Sequence, residues 1–270
     1  MNFDVSMPIA LFIVTCASLI LNEKVESRLK AVFEEREFTG RDAVLLVALM
    51  GIMITLISLG SKYGFISPLM VLFLFSYSML LYVFAYIFTD EHKIAALFPP
   101  ALFIMLYILL RDTVIWDLCL VNVYAIIFAV LITLYLGGLF SWKATWIFAG
   151  LITLLDIIMV FVTGAMVEAA EAGVALKLPI VVSLPMLPAF SGFISLGLGD
   201  FFLAGLLSLQ LLKKYGFKSA LISASTVALA FFIFELYFLN YGPQYFPATL
   251  IVIMGWLPPA LLSILKSKQS

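Results

Sequence analysis

Two aspartates lie within stretches of sequence that are otherwise apolar. Asp156 occurs in LLDIIMVF and Asp200 in SLGLGDFF, and Glu235 is the only other acidic or basic residue inside a long apolar run. A charged side chain deep in a bilayer costs several kcal/mol, so it usually faces a protein or water-filled interior and marks function. Two carboxylates that share a site hold one proton between them. One can then accept a proton from water while the other donates one, which is the chemistry of aspartic proteolysis.

The runs around these aspartates belong to a chain that is apolar throughout. Of its 270 residues, 64% are hydrophobic and 11% are charged, and the mean hydropathy is +1.19. Runs of about 17 to 25 apolar residues can cross a bilayer as helices. We therefore predict an all-α, polytopic membrane protein, a single integral membrane domain over 1–270. Its nine spans are expected at about 5–21, 43–59, 66–89, 94–110, 118–140, 145–167, 190–212, 219–239 and 247–265.

Counting residues places the two aspartates at one depth. Asp156 follows Lys143 by 13 residues and Asp200 precedes Lys213 by 13 residues, and both lysines fall on the same predicted side. At 1.5 Å per residue, each carboxylate lies roughly 20 Å from that side. Equal depth on consecutive antiparallel helices is what a facing pair requires. Gly197 and Gly199 carry no side chain, so a second backbone can approach there.

Several function classes are excluded or disfavoured by composition. His92 is the only histidine and occurs in a short loop, so a zinc protease of the H-E-x-x-H type is ruled out. Both cysteines, Cys16 and Cys119, fall within predicted spans, where a metal cluster is not expected. A net charge of -1 predicts no nucleic-acid partner.

The distribution of basic residues predicts the orientation. Of the 15 Lys and Arg residues, twelve fall on one side of the predicted spans, in the odd-numbered connections and the C-terminus. The positive-inside rule then predicts a protein of the cell membrane whose N-terminus lies on the outer side and whose C-terminus lies on the inner side. The connection between the sixth and seventh spans, 168–189, is expected to face outward.

These features together resemble the intramembrane aspartyl proteases of the presenilin and signal peptide peptidase family. The resemblance rests on the nine predicted spans, on Asp156 in the sixth, and on Gly197, Leu198, Gly199 and Asp200 in the seventh, which match the family's Gly-x-Gly-Asp signature. It implies that Asp156 and Asp200 are catalytic. It also implies membrane-helix or remnant signal-peptide substrates in a lipid bilayer, with no metal, no cofactor and no obligate partner subunit.

Two features depart from the family pattern. Leu155 stands where the family usually has tyrosine. The family's Pro-Ala-Leu motif, which shapes the substrate-binding region at the start of the ninth span, occurs literally as Pro259, Ala260 and Leu261. That copy is only seven residues before Lys266, about 10 Å from the wrong side. We therefore favour Pro247, Ala248 and Thr249 as the equivalent, and keep the second motif as the alternative.

The connection at 168–189 contains a short β-prone run. Pro179 and Pro185 bracket Ile180 to Leu184, which includes Val181 and Val182. An edge strand here could hold an unwound substrate helix beside the aspartates, as the family is thought to do. A hydrophobic loop on the bilayer surface remains the alternative.

Two other functions stay open from the sequence. The aspartates could form the proton relay of a coupled transporter, although no internal repeat is evident. A catalytically silent family member could bind helices without cutting them. For Glu235, which has no evident partner, a structural hydrogen bond is the favoured interpretation.

Overall fold

A computed structural model describes residues 3–33, 37–90, 92–188, 190, 192–242 and 246–267. The chain is helical over most of its length. Its helices are α1 (Ser6–Phe33), α2 (Gly40–Tyr63), α3 (Ser67–Phe88), α4 (Lys93–Ala96), α5 (Phe98–Leu110), α6 (Val121–Leu139), α7 (Trp142–Ile157), α8 (Ala165–Ala175), α9 (Leu198–Tyr215), α10 (Phe217–Tyr241) and α11 (Ala248–Ser267). π-Helical turns precede α6 (Trp116–Leu120) and follow α7 (Ile158–Val162).

Within the described residues, eight helical segments are long and apolar enough to cross a membrane. They confirm a polytopic all-α protein, and they correspond to all the predicted spans except the seventh. That span overlaps α9, which extends to Tyr215 and includes Asp200, Lys213 and Lys214 among its 18 residues. The count of nine spans therefore remains a prediction.

Helix α9 occupies the centre of the bundle. It packs against α1, α6, α7, α10 and α11, and every residue from Phe201 to Leu211 is buried. Its polar side chains find partners inside the protein. Gln210 donates hydrogen bonds to the carbonyls of Gly137 in α6 and of Phe140 directly after it. Lys213 forms an ion pair of 3.2 Å with Glu26 on α1. A helix surrounded in this way does not need the apolar surface that lipid-facing helices require.

One β-hairpin interrupts the helical architecture. Strand β1 (Val181–Pro185) pairs antiparallel with β2 (Phe193–Gly197), with Val181 opposite Gly197 and Pro185 opposite Phe193. The short strand expected at 180–184 is confirmed with a shift of one residue. The helix predicted from residue 190 is wrong at its start, because 193–197 form β2 and α9 begins only at Leu198.

The connection predicted at 168–189 begins with a helix instead. Gly164, in a left-handed conformation with φ of +70°, separates the π-helical turn after α7 from α8. Helix α8 packs on α2, and the Ser58 hydroxyl of α2 donates a hydrogen bond to the carboxylate of Glu168. Ala189, the predicted end of this connection, lies outside the described residues.

Aromatic side chains fix the segment that leads into β1. Tyr107 and Trp116 are buried in a cluster with Tyr77, Phe103 and Tyr124. The Tyr107 hydroxyl donates to the carbonyl of Leu176 at 2.8 Å, and the Trp116 indole donates to that of Lys177 at 2.9 Å. Such side chains bury a ring while a polar tip holds a backbone group. The hairpin thus starts from a fixed point on the bundle.

The far end of the hairpin is attached to the start of α1. The carboxylate of Asp4 accepts hydrogen bonds from the backbone N–H groups of Ser6 and Met7 in the first turn, and from that of Leu187 at 2.9 Å. Val5 donates its N–H to the Leu187 carbonyl. The N-terminal segment and the hairpin therefore lie at the same end of the bundle.

Candidate active site

Asp156 is held by helix packing. Helix α7 begins at Trp142, where the side chain of Ser141 caps the first turn by accepting the Ala144 N–H. Asp156 is the penultimate residue of this helix and is only 5% exposed. The hydroxyl of Thr249, in the first turn of α11, donates a hydrogen bond of 2.7 Å to Asp156 Oδ2. One carboxylate oxygen of Asp156 is thus fixed by a neighbouring helix.

Asp200 is held at a junction between a strand and a helix. Strand β2 ends at Gly197, which serves as the N-cap of α9 with an extended backbone. Asp200 lies in the first turn of that helix and is half-buried. The unpaired N–H groups of a helix N-terminus favour an acidic side chain there. A Cβ at Gly197 would lie 3.4 Å from Asp200 Oδ2, whereas one at Gly199 would meet nothing within 4 Å.

Both aspartates line one cavity of about 80 Å³. Gly197, Gly199 and Thr249 line it too, so the structure brings together predicted residues from β2, α7, α9 and α11. The remaining lining is apolar and consists of Met50, Ile54, Phe148, Ile152, Leu155, Met166, Phe202 and Leu203. Two carboxylates in a cavity that is apolar apart from Thr249 form an arrangement suited to sharing a proton.

Other predicted residues lie outside the cavity lining. Leu198 is buried in the core beside it. Pro247 and Ala248 come directly before Thr249, at the start of α11. Pro259 and Ala260 are buried inside α11, about 15 Å further along that helix, and Leu261 is exposed. Geometry thus places the first Pro-Ala motif at the cavity and the second away from it.

The hairpin has one closed and one open outer edge. The Leu198 N–H donates to the Ile180 carbonyl, and the Met186 N–H donates to the Gly192 carbonyl. Between these two bonds, the backbone groups of the pairs Val182–Leu196 and Leu184–Ile194 point towards each other across the ladder. The backbone groups of the alternate residues therefore point outward. On β1, the outward N–H and C=O of Ser183 are both bound by the side chain of Asn122.

On β2, by contrast, the outward N–H and C=O of Ser195 make no hydrogen bond to any residue that the structure describes. A side chain of α6 thus occupies the edge of β1 at Ser183, within the run Ile180 to Leu184 that was expected to supply the edge strand. Substrate binding by Ile180, Val181 and Val182 stays a prediction. The open edge belongs to β2, which leads directly to Gly197 and the cavity.

Sequence reasoning missed the contributions of α2 and α8 to the cavity. Met50 and Ile54 of α2 and Met166 of α8 carry no polar atom that would distinguish them from lipid-facing residues. On α7, however, Phe148 and Ile152 precede Asp156 at intervals of four residues, which places all three on one helix face. That spacing is a signal from which part of the lining could have been found.

Glu235 lies apart from this site. It is buried on α10, does not line the cavity, and its Oε2 atom has no hydrogen-bond partner among the described residues. The hydrogen bond favoured for it from the sequence is not made by that oxygen. Across the described ranges, no group of three or more His, Cys, Asp or Glu side chains is arranged to hold a metal ion.

The apolar helices define a multi-pass membrane protein. The family model of signal peptide peptidase matches residues 2–264. The chain therefore belongs to the signal peptide peptidase family, and this membership indicates an aspartic peptidase that acts within the membrane. No match was found among curated proteins.

Proposed function

We propose that the protein is an intramembrane endopeptidase of the Gly-x-Gly-Asp type, in which Asp156 and Asp200 activate water to cut transmembrane helices or remnant signal peptides. The observation that carries the proposal is that these two aspartates, from α7 and α9, line one cavity that is otherwise apolar except for Thr249. Family membership gives the reaction class independently of this geometry.

The reaction needs no group beyond the two carboxyls and a water molecule. With one proton shared between the aspartates, the ionised carboxylate takes a proton from water as the oxygen attacks the peptide carbonyl. The protonated carboxyl donates its proton to the carbonyl oxygen, which gives a gem-diol. The carboxyl that took a proton from water then passes it to the leaving amine as the C–N bond breaks, and a diol hydroxyl returns its proton to the other carboxylate as the carbonyl forms. Thr249 contributes by holding Asp156 Oδ2, so the carboxylate keeps one orientation throughout.

The substrate must be extended before it can react, because a helix hides its amides in internal hydrogen bonds. The outer edge of β2 offers backbone groups to a new strand, and Ser195 lies two residues before Gly197 at the cavity. Because Gly199 carries no side chain and has open space beside it, a substrate backbone can approach there. Ile180, Val181 and Val182 support this surface from the neighbouring strand.

The cavity also limits the substrate class. Its methionine, leucine, isoleucine and phenylalanine lining favours apolar side chains around the cleaved bond. With the orientation predicted from basic residues, substrates would be single helices with the N-terminus inside, as in remnant signal peptides. A cofactor and an obligate partner subunit remain unnecessary to the proposal.

The test is mass spectrometry of a signal-peptide-like helix incubated with the purified, detergent-solubilised protein. Asp156→Ala and Asp200→Ala variants are compared with Thr133→Val, which changes a buried side chain that bonds only within α6. We expect cleavage inside the apolar segment by the wild type and the Thr133 variant, and none by either aspartate variant. Binding without products would instead indicate a silent helix-binding protein, and proton-dependent solute uptake by proteoliposomes would indicate a transporter.

A further inference from the structure

Asn122 on α6 binds β1 as a neighbouring strand would. Its Nδ2 donates to the Ser183 carbonyl at 2.9 Å, and its Oδ1 accepts the Ser183 N–H at 2.7 Å. These are the two backbone groups that the antiparallel ladder directs away from β2. A side-chain amide offers one donor and one acceptor, so it can replace one residue of a strand.

The same edge of β1 is further closed by Pro185. This residue is also in the outward phase of the ladder, opposite Phe193, and it has no N–H to donate. With Ser183 bound and Pro185 unable to donate, a further strand cannot pair with β1 over 183–185. Over this stretch the hairpin is left with one usable edge, that of β2.

Asn122 is itself held firmly. It is 8% exposed, and its Nδ2 also lies 3.2 Å from the carbonyl of Leu118 in the preceding turn. Helix α6 packs against α1 and α9 in the centre of the bundle. The contact with Ser183 therefore connects the hairpin to a helix that is packed inside the bundle.

From Ser183 the connection continues to the proposed catalytic residue. Ser183 lies between Val182 and Leu184, which the ladder pairs with Leu196 and Ile194 of β2. The hydroxyls of Ser183 and Ser195 add a contact of 2.7 Å on which the ladder does not depend. Two residues beyond Ser195, Gly197 ends β2 and caps the helix that carries Asp200. A displacement of β1 would thus shift both the open edge of β2 and the first turn of α9.

We infer that Asn122 is a positioning residue that directs the substrate strand to β2 and fixes which substrate bond lies opposite the aspartates. This inference rests on the proposed function. Asn122 does not line the cavity, so it acts through the hairpin and not on the reacting atoms.

Two variants break the contact from opposite sides. Asn122→Leu keeps the approximate volume and removes both hydrogen bonds. Ser183→Pro removes the backbone N–H that donates to Asn122 Oδ1. It removes no ladder hydrogen bond to β2, since the backbone groups of residue 183 point away from β2. Ser183→Ala is the matched control, because it loses only the hydroxyl contact with Ser195. Thr133→Val controls for a polar-to-apolar change elsewhere on α6.

The readout is the set of cleavage positions in a single-helix peptide, together with kcat and KM. In Asn122→Leu and Ser183→Pro we expect several adjacent cleavage positions in place of a dominant one, with kcat lower by roughly tenfold and KM changed less. Combining the two changes should cause no further broadening, because both remove one contact. The two control variants should keep the wild-type cleavage position.

Amide hydrogen exchange measures the contact independently of activity. In Asn122→Leu we expect faster exchange of the Ser183 amide, with the protection of α9 retained. This measurement tests the contact even if the variant is folded but inactive. Wild-type cleavage positions and kcat in both contact-breaking variants would overturn this inference and leave the proposed function intact. A peptide left uncut by the wild type would overturn the proposed function, and this inference with it.

Discussion

Asp156 and Asp200 line the same cavity but are held by different parts of the molecule. Asp156 lies near the end of α7, a helix that is packed in the bundle, and a hydroxyl from α11 holds one of its oxygens. Asp200 lies in the first turn of α9, directly after a strand whose position depends on a hairpin. The first is positioned by helix packing, whereas the second also depends on contacts that reach as far as α6 and the N-terminal segment. Changes to the bundle and to the hairpin should therefore affect activity in distinguishable ways.

The largest expected effect comes from removing either carboxylate. Asp156→Asn and Asp200→Asn keep the side-chain shape, and each should lower kcat by roughly 10⁴-fold or more, because both groups act in one proton-sharing unit. The double variant should be no worse than either single one. Product formation measured by mass spectrometry over long incubations tests this. A strong loss in only one variant would show that the two aspartates do not work as a pair.

A smaller but diagnostic contrast lies between two glycines of α9. A Cβ at Gly199 enters open space beside the cavity, whereas a Cβ at Gly205 would come within 2.6 Å of Thr133 Cγ2. Gly199→Ala should lower kcat/KM by about 10- to 100-fold, with thermal stability unchanged or raised, since alanine favours a helix.

Gly205→Ala should instead lower stability and leave kcat/KM largely unchanged. The added methyl group overpacks the α6–α9 contact, at a cost of about 1–3 kcal/mol in stability. Thermal unfolding in detergent, measured beside the peptide-cleavage assay, separates the two effects. Equal loss of stability in both variants would contradict the assignment of the space beside Gly199 to the substrate.

The hydrogen bond from Thr249 offers a test specific to Asp156. Thr249→Val preserves the shape of the side chain but removes the donor, and kcat should fall about tenfold. Thr249→Ser, which retains the hydroxyl, should keep most of the activity. Steady-state kinetics on one peptide compares the two. If the serine variant falls as far as the valine variant, the methyl group and not the hydrogen bond matters.

The smallest expected effect concerns Asp4, which lies outside the spanning helices and anchors the hairpin. Burial alone would raise the pKa of its carboxyl, but hydrogen bonds from Met7, Leu187 and Ser6 outweigh that effect and hold the pKa below its ordinary value. A carboxyl with a lowered pKa stabilises the fold fully above its unfolded-state pKa, near 3.9, and this contribution disappears as the pH falls through the folded-state value.

Asp4→Asn should therefore lower stability by about 1 kcal/mol at pH 7, and the difference from the wild type should shrink below about pH 4. Thermal unfolding measured between pH 3 and pH 7 tests the trend. A difference that is constant across this range would mean that the charge of Asp4 is not what anchors the hairpin.

Much of the fold and the central pair of the site followed from the sequence. The lengths of the apolar runs predicted the spanning helices, since a bilayer sets the length that a helix requires. Counting from Lys143 and Lys213 predicted equal depth for Asp156 and Asp200, and both line one cavity. Thr249 was reached by the same counting from Lys266. Their catalytic role remains a proposal.

The hairpin was harder to predict because it joins an apolar run without a break. Residues 190–212 form one apolar stretch in which the strand Phe193–Gly197 and the start of α9 have similar composition. Most of helix α8 was taken for a connection, because the predicted sixth span ended at residue 167, directly before Glu168. Asn122 carried no signal at all, since its partner Ser183 is 61 residues away and their contact depends on tertiary structure.

The closed edge of β1 has a kinetic consequence. Because Asn122 and Pro185 close β1 over 183–185, only β2 can pair with an added strand over that stretch, so the sheet holds one such strand at a time. In the proposed reaction, a cleaved product and the next substrate would compete for the same row of backbone groups. Turnover would then depend on how quickly an extended product leaves that edge and refolds as a helix in lipid, so accumulated product should inhibit competitively, most strongly when its sequence favours strand over helix.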